Sequence, residues 1–333
     1  AEVDLSGLTR AELPQAIDRL SLLPCVTDVE LMNAAGESEL TKQDVRALMD
    51  ALPWARIHYE FDLFGQHLST LDTRVVYDTV DIGNEGVPEI REAMDILTDC
   101  EYFLLDSCGI DNELMAELRD EHPEMKVVWR VFFKDCNLRT DAHVLRVTFE
   151  LNDSNTEPLK YCTDAVYADF GHNDVMTDVS FLAYMPNLEC VILSGCAVKD
   201  ISPFANCKNL VWVELVFCGR LSDISVFRDH PTMRFLNISR TAVTDISMLD
   251  NVPLERFNCM AHVSAYAQRH FNETHPGCIA VYYGTQPYGY GWRYNDAGYT
   301  FFDYYQHMRD VFHYDEIEYM GNHKGVHEDD EIV

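Results

Sequence analysis

Positive charge is scarce in this chain: 25 Lys and Arg stand against 56 Asp and Glu over 333 residues, a formal net charge of −31. Such a surface repels phosphate backbones and anionic headgroups, so neither nucleic acid nor a membrane surface is an expected partner. Long apolar runs are missing as well. No stretch approaches the roughly 18 consecutive apolar residues that a membrane helix needs, so no membrane insertion is expected. The opening AEVDLSGLTR holds neither an initiating Met nor a signal-like apolar core, and the chain is read as processed or trimmed.

The usual signatures of chemistry are lacking too. There is no CxxC pair and no Cys/His set at zinc spacing. The eleven cysteines, odd in number and irregularly spaced, do not form a disulfide framework. GxxxxGK[ST], HExxH and GxSxG are absent. DCNLRTD lacks the Gly of a calcium loop. His307, His313, His323 and His327 follow no known ligand spacing, and three N-x-[ST] triplets, at Asn152, Asn237 and Asn272, matter only in a eukaryotic secretory route. Neither a metal nor a cofactor is expected. With 47% hydrophobic and 24% charged residues the chain can nevertheless bury a large core.

What the sequence does contain is a period. The phrase Asp, Val or Ile, Ser falls at Asp178, Asp200, Asp223 and Asp245, at steps of 22, 23 and 22 residues. Aligned on it, LECVILSGCAV, LVWVELVFCGRL and MRFLNISRTAV fit L-x-x-L-x-L-x-x-[N/C]-x-L, with AVYADFGHNDVM a weaker copy before them. A short strand points alternate residues inward, the chain turns, and a side chain at the turn bonds backbone groups left unpaired there. Asn173, Cys196, Cys218 and Thr241 take that place, so Cys196 reads as one rung of a structural ladder and not as a reactive thiol. The convex side has room only for a turn, capped by the Asp and Ser side chains.

The first part of the chain is duplicated. VDLSG pairs with VDIGN, and LPQAIDRLSLLPCVTDVEL with VPEIREAMDILTDCEYFLL, at an offset of about 74 residues. Apolar spacing predicts helices near 13–22, 42–51, 88–97 and 112–121, alternating with strands. Cys108 again fits the ladder slot, which implies one continuous sheet through both halves. The organisation expected is therefore 1–135, long helical repeats; 136–162, a junction; 163–260, compact repeats; and 261–333, an aromatic-rich cap over the last open edge, ending in a frayed HEDDEIV.

VKDISPFANCKNLVWVEL and VTDISMLDNVPLERF resemble the short bacterial leucine-rich repeats of internalin-type proteins, with their T-D-I-S-x-L phrase followed by N-L. DSCGIDNELMAELRDEHPEMKVVWRVFFKDCNLRTDA resembles repeat regions of predicted secreted or surface proteins of gut Firmicutes. The resemblance implies an α/β solenoid with a parallel β-sheet on its concave face, an extracellular or cell-surface location, and non-enzymatic recognition. No LPxTG-like anchor accompanies it.

If Leu188, Val191 and Leu193 point inward, their neighbours form concave columns: Tyr167, Cys190, Trp212, Phe235, Arg256; Asp169, Ile192, Glu214, Asn237, Asn258; and Gly171, Ser194, Val216, Ser239, Met260. Large aromatics and Arg at exposed strand positions mark a binding surface. Tyr167, Trp212, Phe235, Glu214, Asn237 and Arg256 are thus the candidate site for a protein or glycan partner. The competing expectation is that the C-terminal segment or a flanking domain covers this face and the aromatics are core. A Cys162, Asp169, His172 nucleophile system is set aside because Asn173 already has a ladder role. In the alternative to recognition, the solenoid is a spacer within a longer surface protein.

Overall fold

The computed structural model describes residues 1–133, 136–295 and 300–315; His323, His327 and the HEDDEIV tail lie outside them. The chain folds as two compact units, Ala1–Trp129 and the residues from Arg130 onward.

In the first unit, β1 (Glu2–Asp4), α1 (Leu13–Leu20), β2 (Asp28–Glu30), α2 (Lys42–Ala51) and β3 (Arg56–His58) make a three-stranded parallel sheet in chain order. An antiparallel pair, β4 (Glu60–Leu63) and β5 (Gln66–Ser69), follows it. The second copy repeats the plan with β6 (Arg74–Asp78), α3 (Val87–Met94), β7 (Tyr102–Asp106), α4 (Asn112–Glu121) and β8 (Lys126–Phe133), and β8 then pairs antiparallel with β9 (Cys136–Arg139). α2 begins at a reciprocal capping box formed by Thr41 and Asp44. Alternation within EFDL, QHLS and CNLR is too short to mark β4, β5 and β9 as separate strands, so neither antiparallel pair is legible in the sequence.

The second unit is a leucine-rich repeat solenoid. β10 (Val144–Arg146), β11 (Tyr167–Asp169), β12 (Cys190–Ile192), β13 (Trp212–Glu214), β14 (Phe235–Asn237), β15 (Arg256–Asn258) and β16 (Ile279–Val281) form one seven-stranded parallel sheet in chain order. Register follows the period to the residue: Tyr167 opposes Cys190, Cys190 opposes Trp212, Trp212 opposes Phe235 and Phe235 opposes Arg256. On the convex side each repeat closes with a 3₁₀ turn, at Ser180–Tyr184, Ser202–Asn206, Ser225–Phe227 and Ser247–Leu249. The preceding Asp accepts the Ser amide at 2.8 to 2.9 Å every time. That bond holds the carboxylates of Asp200, Asp223 and Asp245 below their ordinary range.

Three features differ from expectation. The strands of the described residues sort into four sheets of three, two, four and seven strands, so the expected single sheet is not continuous. Residues 136–162, read as a junction, hold β9 and the first rung β10. The repeat also runs one rung further than its phrase: α5 (Ala265–Thr274), capped by Ser264, replaces the 3₁₀ turn and returns the chain to β16 in register with β15. Phe271 of α5 packs on Phe257 at 4.7 Å and completes the core there.

The ladder exists with altered polarity. Asn173 is bonded on both sides, donating to the Val147 and Phe170 carbonyls and accepting from the Leu151 amide. The thiols of Cys196 and Cys218 instead donate to Phe170 and Leu193 carbonyls of the repeat before, at 3.2 Å each. Thr241 donates to Ile238 at 2.7 Å. A thiol is a weak donor and weaker acceptor, so where Asn would take an amide the Cys takes a carbonyl.

Candidate functional site

The concave columns form in the second unit as the sequence orders them, yet they are not open to solvent. Tyr167, Trp212, Phe235, Glu214, Asn237 and Arg256 are all buried. The chain leaves β16, folds back across the sheet and carries α6 (Asp303–Val311) along it. Trp292, Tyr305, Met308 and Phe312 join Tyr167, Cys190, Ile192, Trp212 and Phe235 in one apolar cluster. The expectation of an exposed aromatic face is therefore corrected: alternation along a strand tells which side a residue faces, and a segment some 50 to 140 positions away decides what lies there.

Each of the six candidate residues takes hold of that segment. Trp212 lies 4.1 Å from Trp292, centroid to centroid, and stacks with Tyr305 at 5.9 Å. Phe235 meets Phe302 edge-on at 5.2 Å. The Tyr167 hydroxyl shares a hydrogen bond with His307 Nε2 at 3.1 Å, and burial pushes its pKa up to about 12. Asn237 donates to the Pro287 carbonyl at 2.9 Å. Arg256 donates to the carbonyls of Trp292 and Tyr294 and to Asn295 Oδ1, with its guanidinium 3.7 Å above the Phe302 ring. Burial lowers the Arg256 pKa from its ordinary value.

Glu214 is the electrostatic centre. It accepts from Trp292 Nε1 at 2.6 Å, Ser194 Oγ at 2.9 Å and Arg293 at 3.2 Å. Burial opposes the charge on Arg293, but the carboxylate beside it prevails and the guanidinium pKa is raised. Two further grips were not foreseen from sequence. Tyr314 donates to Asp169 at 2.6 Å, and Arg146 donates to the Phe312 carbonyl at 3.0 Å while lying over the Tyr314 ring. Arg146 belongs to β10, the rung hidden inside the expected junction.

Burial also bears on the thiols. Cys190, beneath Met308, has its pKa pushed well above the ordinary value, and those of Cys207 and Cys218 rise to about 12, so none is a thiolate near neutrality. Cys162 and Asp169 are buried, while His172 is exposed and stacked on Phe149 at 5.0 Å. No helix of the described residues is long and apolar enough to cross a membrane.

The strand ends carry one more pattern. Phe149, His172, Gly195, Phe217 and Arg240 occupy equivalent positions on five successive rungs, all with φ between 62 and 81°. The amides of the last four donate to carbonyls of the following rung at 2.7 to 3.1 Å, which fixes this left-handed backbone while the chain turns away. Phe149 and Phe217 stay 66% and 52% exposed.

No family model matches the chain, and no curated protein matches it. Among solved structures it is similar to an internalin of Listeria monocytogenes, 15% identical over 81% of this chain and 88% of that one, at a TM-score of 0.35. It is also similar to internalin C2 of the same organism, 14% identical over 76% and 92%, at 0.28. The functional domain of L. monocytogenes InlJ, described as including a cysteine ladder, is 12% identical over 55% of this chain and 43% of that one, at 0.31.

Proposed function

We propose that this chain is a non-enzymatic recognition module that works outside the cytoplasm on a protein or glycan partner. The observation that carries this reading is the way the concave columns hold polypeptide. Asn237 and Asn258 bond the Pro287 carbonyl, Arg256 those of Trp292 and Tyr294, and Arg146 that of Phe312. Aromatic anchors with main-chain hydrogen bonds are how extended segments are bound elsewhere. With those columns engaged in cis, a partner meets the surfaces beside them, above all the aromatic row at the strand ends.

A second reading rests on a separate observation. The buried Trp212 Nε1 and Arg146 Nε have no hydrogen-bond partner among the described residues. Unmet buried donors cost about 1–3 kcal/mol each, which favours exchange of the cover for a segment that meets them. In that event Tyr167, Trp212, Phe235, Glu214, Asn237 and Arg256 take the external partner.

An array of extracellular proteins and glycans probed with the whole chain tests the proposal, which is lost if nothing is retained. Asn237→Ala and Arg256→Ala, which loosen the cover, separate the two readings. Retention unchanged by both places the partner at the row, and retention altered by both places it on the concave columns.

A further inference from the structure

The left-handed row has one gap. Outside glycine, an L-residue in this conformation costs roughly 1–2 kcal/mol, and the exposed side chains of Phe149, His172, Phe217 and Arg240 return little of it through burial. Gly195 shows what the backbone alone prefers at this position. The bond from the amide to the following rung holds that backbone, as it does at Thr79 in the first unit, so what distinguishes this row is its side chains: three of the four other rungs present a ring to solvent.

The rings are arranged around Gly195. Phe149 stacks on one face of His172 with an interplanar angle of 8°, which leaves the other face toward the Gly195 rung. A Cβ placed on Gly195 would lie 3.5 Å from His172 Nδ1, so that imidazole walls the gap directly. Phe217 stands on the rung beyond, backed by Tyr288 of the cover at 6.3 Å, which in turn lies under the Arg293 guanidinium at 4.2 Å. Two rungs of sheet separate His172 from Phe217 by about 9–10 Å. The floor is small, Gly195 and then Ala197, and the exposed Asp174 and Arg220 follow the two walls on their own rungs.

That interval matches one ring of modest thickness between the two walls, and the exposed Asp174 and Arg220 supply an acceptor and a donor of opposite charge on the same two rungs. A pyranose has apolar C–H faces for the rings and hydroxyls that both donate and accept. An anionic ring is disfavoured by the net charge of −31. A row one side chain wide is short of the ~800 Å² per partner that a stable protein interface takes. We propose that the notch between His172 and Phe217, floored by Gly195 and Ala197, is a binding site for one neutral pyranose ring of a glycan. The inference rests on the recognition reading above and names the ligand class and its place.

The test is saturation-transfer NMR on the whole chain with neutral oligosaccharides of glucose, galactose and N-acetylglucosamine, and a sialylated oligosaccharide for comparison. Neutral sugars bind, and Phe217→Ala, His172→Ala and Gly195→Asn each weaken binding about tenfold or more. Asn tolerates the left-handed backbone and fills the notch, while Phe217→Ala trims an exposed side chain and keeps the test independent of folding at 195. Tyr184→Ala, on a convex turn, leaves binding unchanged. The proposal is overturned if no neutral oligosaccharide binds, if only the sialylated one does, or if Gly195→Asn and Phe217→Ala bind like the parent. A protein retained on the array while every neutral sugar fails removes this site and leaves the recognition reading intact.

Discussion

The indole nitrogen of Trp292 donates to the carboxylate of Glu214 at 2.6 Å, joining residues 78 positions apart inside a site where Glu214 has no solvent exposure. A buried carboxylate survives only with its acceptor sites filled, and Trp292, Ser194 and Arg293 fill them. Glu214→Gln keeps an acceptor for the indole but drops the charge facing Arg293, and should cost about 1–2 kcal/mol. Glu214→Ala strands all three donors and should cost about 2–4 kcal/mol, short of a fully buried pair because Arg293 still reaches solvent. Urea unfolding followed by tryptophan fluorescence measures both, and equal losses in the two variants would contradict the arrangement.

Asn173 ties three backbone groups across two repeats, whereas Cys196 one rung later ties one. Asn173→Ala should therefore destabilise the second unit by about 2–4 kcal/mol and Cys196→Ala by about 1–2 kcal/mol. The order of the two midpoints in a denaturant titration is the decisive readout.

All eleven cysteines are free, but only Cys25 is exposed. Burial pushes the thiol pKa values of Cys207, Cys218, Cys259 and Cys278 up to about 12. A thiol reagent at pH 8 should modify Cys25 quickly and the rest only on unfolding, as alkylation mapped by peptide mass spectrometry would show. Rapid labelling of Cys196 or Cys218 would show that the ladder opens readily.

The His230 ring is buried, with Nε2 against the Cys207 carbonyl at 2.9 Å, and burial lowers its pKa from 6.5. The unfolded chain then binds this proton more readily than the folded one, so His230 withdraws stability as pH falls through about 6.5. His67 and His270 act in the opposite sense. Hydrogen bonds to Asp62 and to Asp250 raise their pKa values, and what they contribute is present below 6.5 and lost as pH rises through their folded values. NMR titration of the ring protons should place His230 below 6.5 and the other two above it. His230→Gln, which keeps a donor for Cys207, should flatten the acid side of the stability profile.

The repeat was legible because stacking makes chemistry periodic. One phrase, Asp-Ile-Ser, marks the 3₁₀ turn, and counting from it puts Trp212 opposite Phe235, as the register has it. What Trp212 touches was not legible, since Trp292 and Tyr305 carry no period and the pairing depends on how the chain returns. Arg146 was lost for a related reason: its rung lacks the phrase and sits among turn-forming residues. The left-handed row left one readable trace, Gly195 standing in line with Phe149, His172 and Phe217, where a lone glycine in a column of rings points to a backbone demand shared by all of them. The strands β4, β5 and β9, four residues each, are too short for alternation to mark the antiparallel pairs they make.

Because the strap over the sheet is part of the same polypeptide, its departure is never diluted. A tethered ligand sits at an effective concentration in the millimolar range for short flexible links. A competing peptide that matched Trp292 and Phe312 contact for contact would need comparable abundance to share the sheet. A rival at lower concentration would have to grip more tightly than the native strap, so occupancy in cis would set a threshold on what the sheet takes in.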